Sequence, residues 1–201
     1  MSRSFVVGRP EVTFAATALL AVLVMMLAEL LRSRRHERQL RRRGAVEPEG
    51  DVYRLMAVVY PLIFVLMAME GAVAGPAAGW LVLGGFTIFL SAKILKLWAI
   101  AELGPRWSYR VLVLPGAPLV TTGPYAFMRH PNYVAVFGEI VGFAIMVGAP
   151  WAGIGSLLLF GVLVRRRIAI EEHALEMARG SGLQASGTPR TPGGRSPEAG
   201  A

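Results

Sequence analysis

The sequence predicts an all-α integral membrane protein with about five transmembrane helices, the last two a short helical hairpin, and a large loop on the cytosolic side. Three observations carry this prediction. Of the 201 residues, 54% are hydrophobic and only 17% charged, more apolar material than a water-soluble domain of this size can bury. The apolar residues fall in unbroken runs near the roughly 20 residues that cross a hydrocarbon core. Arginines gather beside those runs, as they do on the cytosolic side of membrane proteins.

The first run covers residues 12–31. It is longer than the apolar part of a secretory signal, starts too far from Met1, and is followed by no small-residue cleavage site, so it is expected to remain in the chain. Arg32, Arg34, Arg35, Arg38, Arg41, Arg42 and Arg43 follow it and assign that side to the cytosol. The second and third runs, 53–74 and 77–101, return the chain to the same side. Near their ends, Lys93 and Lys96 are expected to snorkel to the surface, and Glu29 and Glu70 carry little information. A fourth run, 134–164, would be about 46 Å long as one helix, well beyond a core of roughly 30 Å. Gly148, Ala149, Pro150 and Gly153 interrupt its middle, where proline removes a backbone donor and glycine tolerates a turn. Two helices are therefore expected, and the second brings Arg165, Arg166 and Arg167 back to the cytosolic side. Residues 180–201 are rich in Gly, Ser, Pro and Thr and are expected to form a disordered tail, leaving a single membrane domain over 1–179.

Between Glu102 and Tyr133 the density of Gly and Pro forbids a continuous helix. The same loop holds Trp107, Tyr109, Leu114, Leu119, Val120, Tyr125 and Phe127, too apolar to stay in water. It is expected to fold over the helix ends as a roof, with Arg110, Arg129, His130 and the carboxylates of the last helix entering the space beneath.

Composition narrows the chemistry further. The chain has no cysteine, so disulfides, thiolate zinc sites and thiol nucleophiles are excluded. Its net charge of +8 comes from arginines beside apolar runs, which points to membrane lipid; no aromatic-interleaved basic patch accompanies it, so nucleic acid is not an expected partner. The oligomeric state leaves no trace in the sequence.

Three blocks resemble the isoprenylcysteine carboxyl methyltransferase family: LVTTGPYAFMRHPNY at 119–133, LKLWAIAELGPRW at 95–107 and RRRIAIEEHAL at 165–175. The resemblance implies a small helical membrane bundle that holds S-adenosylmethionine under its cytosolic loop. It implies that Pro118, Leu119 and Val120 line the cofactor pocket through their backbone, with Tyr125, His130, Tyr133, Glu171 and Arg110 as further cofactor contacts. Arg167 matches the arginine placed at the acceptor. Two positions differ: Ala117 stands where eukaryotic members carry histidine, and the tail replaces the family's aromatic closing segment. The implied activity is O-methyl transfer to a lipophilic acceptor, either a prenylcysteine carboxylate or the hydroxyl of an alkyl-pyrone or alkyl-resorcinol, in a bacterial inner membrane.

Such a transfer depends on alignment and exclusion of water. A carboxylate acceptor is already ionised and needs an arginine to align it, for which Arg167 is the candidate, with Arg129 a second catalytic candidate in the roof. An enol or phenol needs a base such as Glu172 or His130. Glu139, six residues into the fourth run, must face the bundle interior and is a candidate acceptor-side contact. Plainer readings stand beside these: Arg167 and Glu171, four apart on a helix, as a solvated pair, and Tyr125 and Tyr133 as headgroup-level aromatics. Alternative functions are phospholipid N-methylation, an NADPH-dependent reductase on a related scaffold, and a non-enzymatic membrane scaffold.

Overall fold

The computed structural model describes residues 10–48, 50–75, 77–115 and 117–185, with side chains described as far as Met177. Five helices follow in order: α1 Pro10–Arg42, α2 Tyr53–Ala74, α3 Gly79–Leu103, α4 Pro131–Val147 and α5 Pro150–Ala185. Two short 3-10 turns, Gly104–Arg106 and Gly123–Ala126, lie in the long connection before α4. Strand pairing among the described residues is limited to one antiparallel bridge, Val46 with Val113. The molecule is an all-α membrane protein: α1, α2 and the helix built on α3 are each long and apolar enough to cross a bilayer, and α4 is a shorter apolar helix.

α3 and α4 form the most extensive helix pair, and small residues let them approach. A β-carbon at Gly142 would overlap the backbone nitrogen of Phe89, and one at Gly138 would come within 2.7 Å of the Ala92 methyl. In lipid, where apolar side chains gain little by leaving the solvent, such backbone proximity drives helix association. Outward faces carry the chain's exposed Leu20, Val24, Leu83 and Leu158, and Trp80 and Trp151 mark the end away from the roof, at the level where aromatic residues favour the interface.

The expected break in the last apolar run is present. Gly148 adopts the left-handed conformation, φ 72°, and closes α4; the Ala149 amide returns to the Ala144 carbonyl at 2.8 Å. Pro150 opens α5, where its missing N–H is no loss. Glu70, expected to be uninformative, receives the Trp151 and Ala152 amides at 3.1 and 2.5 Å. A carboxylate from α2 thus caps the positive end of α5.

Three expectations need correction. α5 is not short: it has 36 residues, and only its first half is apolar, the rest carrying the arginines and glutamates past the membrane face. α1 likewise continues as helix through its arginine cluster to Arg42. Lys93 and Lys96 do not snorkel; they are 6% and 0% exposed, held inside by the partners described below. Of the segment expected to be a tail, residues 180–185 prolong α5 and residues 186–201 lie outside the described residues.

Candidate active site

α1, α3 and α5 end, and α2 and α4 begin, at one end of the bundle, and the 104–130 connection is stitched across that end. Tyr109 N donates to Ser33 Oγ at 2.8 Å, and Val111 N to Asp51 Oδ2 at 3.1 Å. His36 Nδ1 and the Trp107 carbonyl lie 2.8 Å apart, and Arg106 Nη1 donates to the Pro118 carbonyl at 2.6 Å. Thr122 donates to Glu102, drawing the second half of the loop onto the end of α3. The roof is therefore an ordered lid anchored to α1, the α1–α2 loop and α3.

Beneath it lies a cavity of about 910 Å³. Its roof wall includes Pro118, Leu119, Val120, Tyr125, Arg129 and His130, and its helical wall Tyr133, Arg167, Glu171 and Glu172. Arg110 also borders it. Leu23, Met26 and Leu27 of α1, Met56 and Tyr60 of α2, and Phe160 of α5 carry the same cavity down to membrane depth. Every predicted site residue except Glu139 thus faces one space.

Arg167 is the most heavily engaged of them. It is 6% exposed; Nε donates to the Tyr133 hydroxyl at 2.9 Å, Nη1 to Asp51 Oδ1 at 3.1 Å, and Nη2 to the Tyr109 carbonyl. Tyr133 passes its own hydrogen to Glu171 Oε2 at 3.0 Å. Arg167 and Glu171 are therefore joined through a phenol and not as a solvated pair, and Tyr133 is a structural member of the site as well as an interfacial aromatic. His130 Nε2 lies 3.4 Å from Glu172 Oε1. Arg129 reaches the same carboxylate at 3.5 Å, but its side chain is 87% exposed, so at this geometry it guards the rim.

Arg110 is occupied elsewhere. It pairs with Glu47 at 2.6 Å and Glu37 at 3.5 Å and lies over the Tyr53 ring, 4.7 Å from its centroid. The hydrogen bond that Arg110 donates to Glu47 raises its pKa above the ordinary arginine value. Conversely, desolvation acts upward on Glu47, but the bonds from Arg110 and Arg41 outweigh it and hold that carboxyl below 4.5. Burial, then the charges of Glu171 and Glu102, push the Tyr125 phenol upward; it stays protonated.

Several members of the site were not foreseen. Asp51 holds both Arg167 and the roof. Asn132 lines the cavity with a buried Oδ1 that has no hydrogen-bond partner among the described residues. Below Tyr109 lies a buried charge cluster: Lys93 is 2.9 Å from both Glu29 and Glu139, and Lys96 is 2.7 Å from Glu29 and 3.5 Å from Glu139. Tyr109 donates to Glu29 at 2.7 Å, and Tyr60 donates to Glu139. Glu139 is 0% exposed and sits behind Tyr60 and Lys96, off the cavity wall. The glutamates and lysines sit near membrane depth at charge balance, which is how ionised groups are tolerated there.

Fold and site together define a polytopic membrane protein that roofs a cavity running from its polar face into the bilayer. Residues 85–177 match the Isoprenylcysteine carboxyl methyltransferase (ICMT) family. The chain is similar to the uncharacterized protein YpbQ of Bacillus subtilis, 32% identical over 161 residues that cover 79% of this chain and 95% of the relative. An uncharacterized protein of Haemophilus influenzae is 22% identical over 82% of this chain and 94% of its own length. Protein-S-isoprenylcysteine O-methyltransferase B of Arabidopsis thaliana is 29% identical over 99 residues, 48% of this chain and 50% of its own. No solved structure matches the chain. The chain belongs to the isoprenylcysteine carboxyl methyltransferase family, a family of membrane methyltransferases.

Proposed function

We propose that the protein transfers a methyl group from S-adenosylmethionine to an oxygen of a lipophilic acceptor that enters from the bilayer. The observation that carries this reading is the continuity of the cavity: one space joins the roof and its carboxylates to the apolar depth of α1 and α2. A water-soluble cofactor and a lipid-soluble acceptor can meet only in such a space.

The residues present fit the cofactor. About 910 Å³ lies within the roughly 300–1,000 Å³ typical of small-molecule sites. Glu171 and Glu172 offer negative charge to a sulfonium and an ammonium, the orphaned Asn132 Oδ1 offers an acceptor, and Tyr125, His130 and Tyr133 offer ring surfaces. In this reading Pro118, Leu119 and Val120 supply a backbone edge, Glu171 is fixed in place by Tyr133, and Glu172 is oriented by His130 and Arg129. When bound, S-adenosylmethionine supplies an electrophilic methyl group. The protein aligns the acceptor against it and keeps water away.

Arg167 fixes the acceptor side. Its three anchors hold the guanidinium rigid, so an acceptor oxygen meets a preorganised cation. That cation disfavours the amine acceptor of a phospholipid N-methyltransferase. Glu171, Glu172 and Glu176 in the wall disfavour the 2′-phosphate of NADPH. The described arginines cluster at the roof end, whereas Glu11 and Glu70 are the described charges at the other, which supports a cytosolic roof in a bacterial inner membrane.

The test is transfer of tritiated methyl from S-adenosylmethionine in membranes containing the protein, offered a prenylcysteine, an alkyl-pyrone or alkyl-resorcinol, and phosphatidylethanolamine. Label in a base-labile ester or a base-stable ether supports the reading; label in the amine alone, or none above vector membranes, contradicts it.

A further inference from the structure

Tyr109 joins the charge cluster inside the bundle to Arg167. Its hydroxyl donates to Glu29 at 2.7 Å, and its carbonyl accepts from Arg167 Nη2. Glu29 is 7% exposed and lies off the cavity wall, where Lys93 and Lys96 fix it at 2.9 and 2.7 Å.

The peptide around Tyr109 is held from one helix. Its amide donates to Ser33 Oγ at 2.8 Å, and Ser33 passes its own hydrogen to Glu37 at 2.7 Å. Glu29, Ser33 and Glu37 follow one another at intervals of four and so share one face of α1. Beside that face His36 Nδ1 meets the Trp107 carbonyl at 2.8 Å, and Glu37 meets Arg110 at 3.5 Å. Residues 107–110 are therefore docked in register along α1. A loop carbonyl is ordinarily mobile; this one is clamped through both the amide and the side chain of its own residue.

Roof packing alone does not account for these contacts. The Tyr109 ring lies against Trp107, with centroids 5.2 Å apart, which a phenylalanine would do equally well. The hydroxyl instead enters a buried ion cluster. Burial, then the charge of Glu29, push the phenol upward, so it remains a donor.

We propose that Tyr109 is a positioning residue for methyl transfer: α1, through Glu29 and Ser33, sets the Tyr109 carbonyl, and that carbonyl sets where the Arg167 guanidinium meets the acceptor. The proposal rests on the methyltransferase reading above and deepens it. Removing the hydroxyl leaves the carbonyl in the chain but frees it to turn. Arg167 then keeps Asp51 and Tyr133 and loses its third restraint, so the variant gives up preorganisation and not charge.

The experiment compares wild type, Tyr109→Phe, Ser33→Ala and Thr122→Val as full chains in lipid nanodiscs. Thr122→Val is the control, because it frees the roof from Glu102 on α3 and touches none of the contacts above. Hydrogen exchange of the Arg167 Nε–H is followed by NMR in protein labelled with heavy-nitrogen arginine, the resonance being identified by its loss in Arg167→Lys. Exchange should be at least about tenfold faster in Tyr109→Phe and Ser33→Ala than in the wild type, and unchanged in Thr122→Val. In the tritiated-methyl assay, Tyr109→Phe should lower kcat at least about tenfold and leave the KM for S-adenosylmethionine unchanged, since the restraint acts on the acceptor side. Wild-type exchange in folded Tyr109→Phe, equal acceleration in Thr122→Val, or faster exchange with an unchanged kcat overturns the proposal. Where Tyr109→Phe does not fold, Ser33→Ala decides by the same readouts. Absence of transfer by the wild type counts against the methyltransferase reading, whereas the exchange rates still decide whether Tyr109 positions Arg167.

Discussion

The Tyr133 hydroxyl stands between Arg167 and Glu171, accepting from the Arg167 Nε at 2.9 Å and donating to the Glu171 carboxylate at 3.0 Å. One phenol therefore sets the position of both the Arg167 guanidinium and the Glu171 carboxylate, the groups proposed above to meet the acceptor and the cofactor. Replacing it with phenylalanine keeps the ring but strips both groups of a buried partner. Tyr133→Phe should lower stability by about 1–3 kcal/mol and reduce methyl transfer by at least about tenfold. Thermal unfolding and initial rates on the same preparation check both.

Arg167 and Asp51 form a buried pair whose side chains are 8% and 4% exposed. Arg167→Met leaves Asp51 an uncompensated charge and should destabilise the protein by about 3–5 kcal/mol. Adding Asp51→Asn should recover much of that stability but none of the activity. A double-mutant cycle measured by denaturant unfolding separates the two effects.

The lysines and glutamates at membrane depth make a similar prediction independently of Arg167. Lys93→Met removes one positive charge from the cluster and should be strongly destabilising, whereas Lys93→Met with Glu29→Gln restores the balance and should be milder. Retention of folded protein after extraction in mild detergent reports the order.

Gly142 lies where α4 meets the α3 backbone, so any side chain there must push the helices apart. Gly142→Val should lower the unfolding temperature and cost about 1–3 kcal/mol. Gly155, with open space around its β-carbon position, should accept alanine without loss.

Glu47 supplies a pH signature. Its folded pKa lies below the ordinary 4.5, so its stabilising contribution is present above pH 4.5 and is lost as pH falls through the depressed value. The pair is partly exposed, 25% at Arg110 and 23% at Glu47, so the contribution should be at most about 1 kcal/mol. Glu47→Gln should therefore be slightly less stable than wild type at pH 7, and the two unfolding curves should draw together as the pH falls below 4.5.

Much of the scaffold was legible because lipid imposes simple rules. α2 begins and ends where its apolar run does, and Gly148 to Pro150 announced the break before α5 through their own backbone chemistry. The roof was legible from its mixture of turn-forming and apolar residues. The partners inside the bundle were not. Lys96 looked like a snorkelling residue because it lies within two turns of the end of α3, and nothing local to it reveals Glu29 on α1 or Glu139 on α4. Asp51 had no motif at all; its importance arises because Arg167 and Val111, distant in sequence, both converge on its carboxylate. The Arg167 and Glu171 spacing gave the right helix face but not the phenol between them.

Binding of radiolabelled S-adenosylmethionine to the purified chain in nanodiscs, wild type against Glu171→Gln, is the decisive measurement. Saturable wild-type binding is expected, with at least about tenfold weaker binding by the variant, roughly 1.4 kcal/mol. Absence of wild-type binding up to about 1 mM, or equal affinity of the two proteins, would contradict the proposed function.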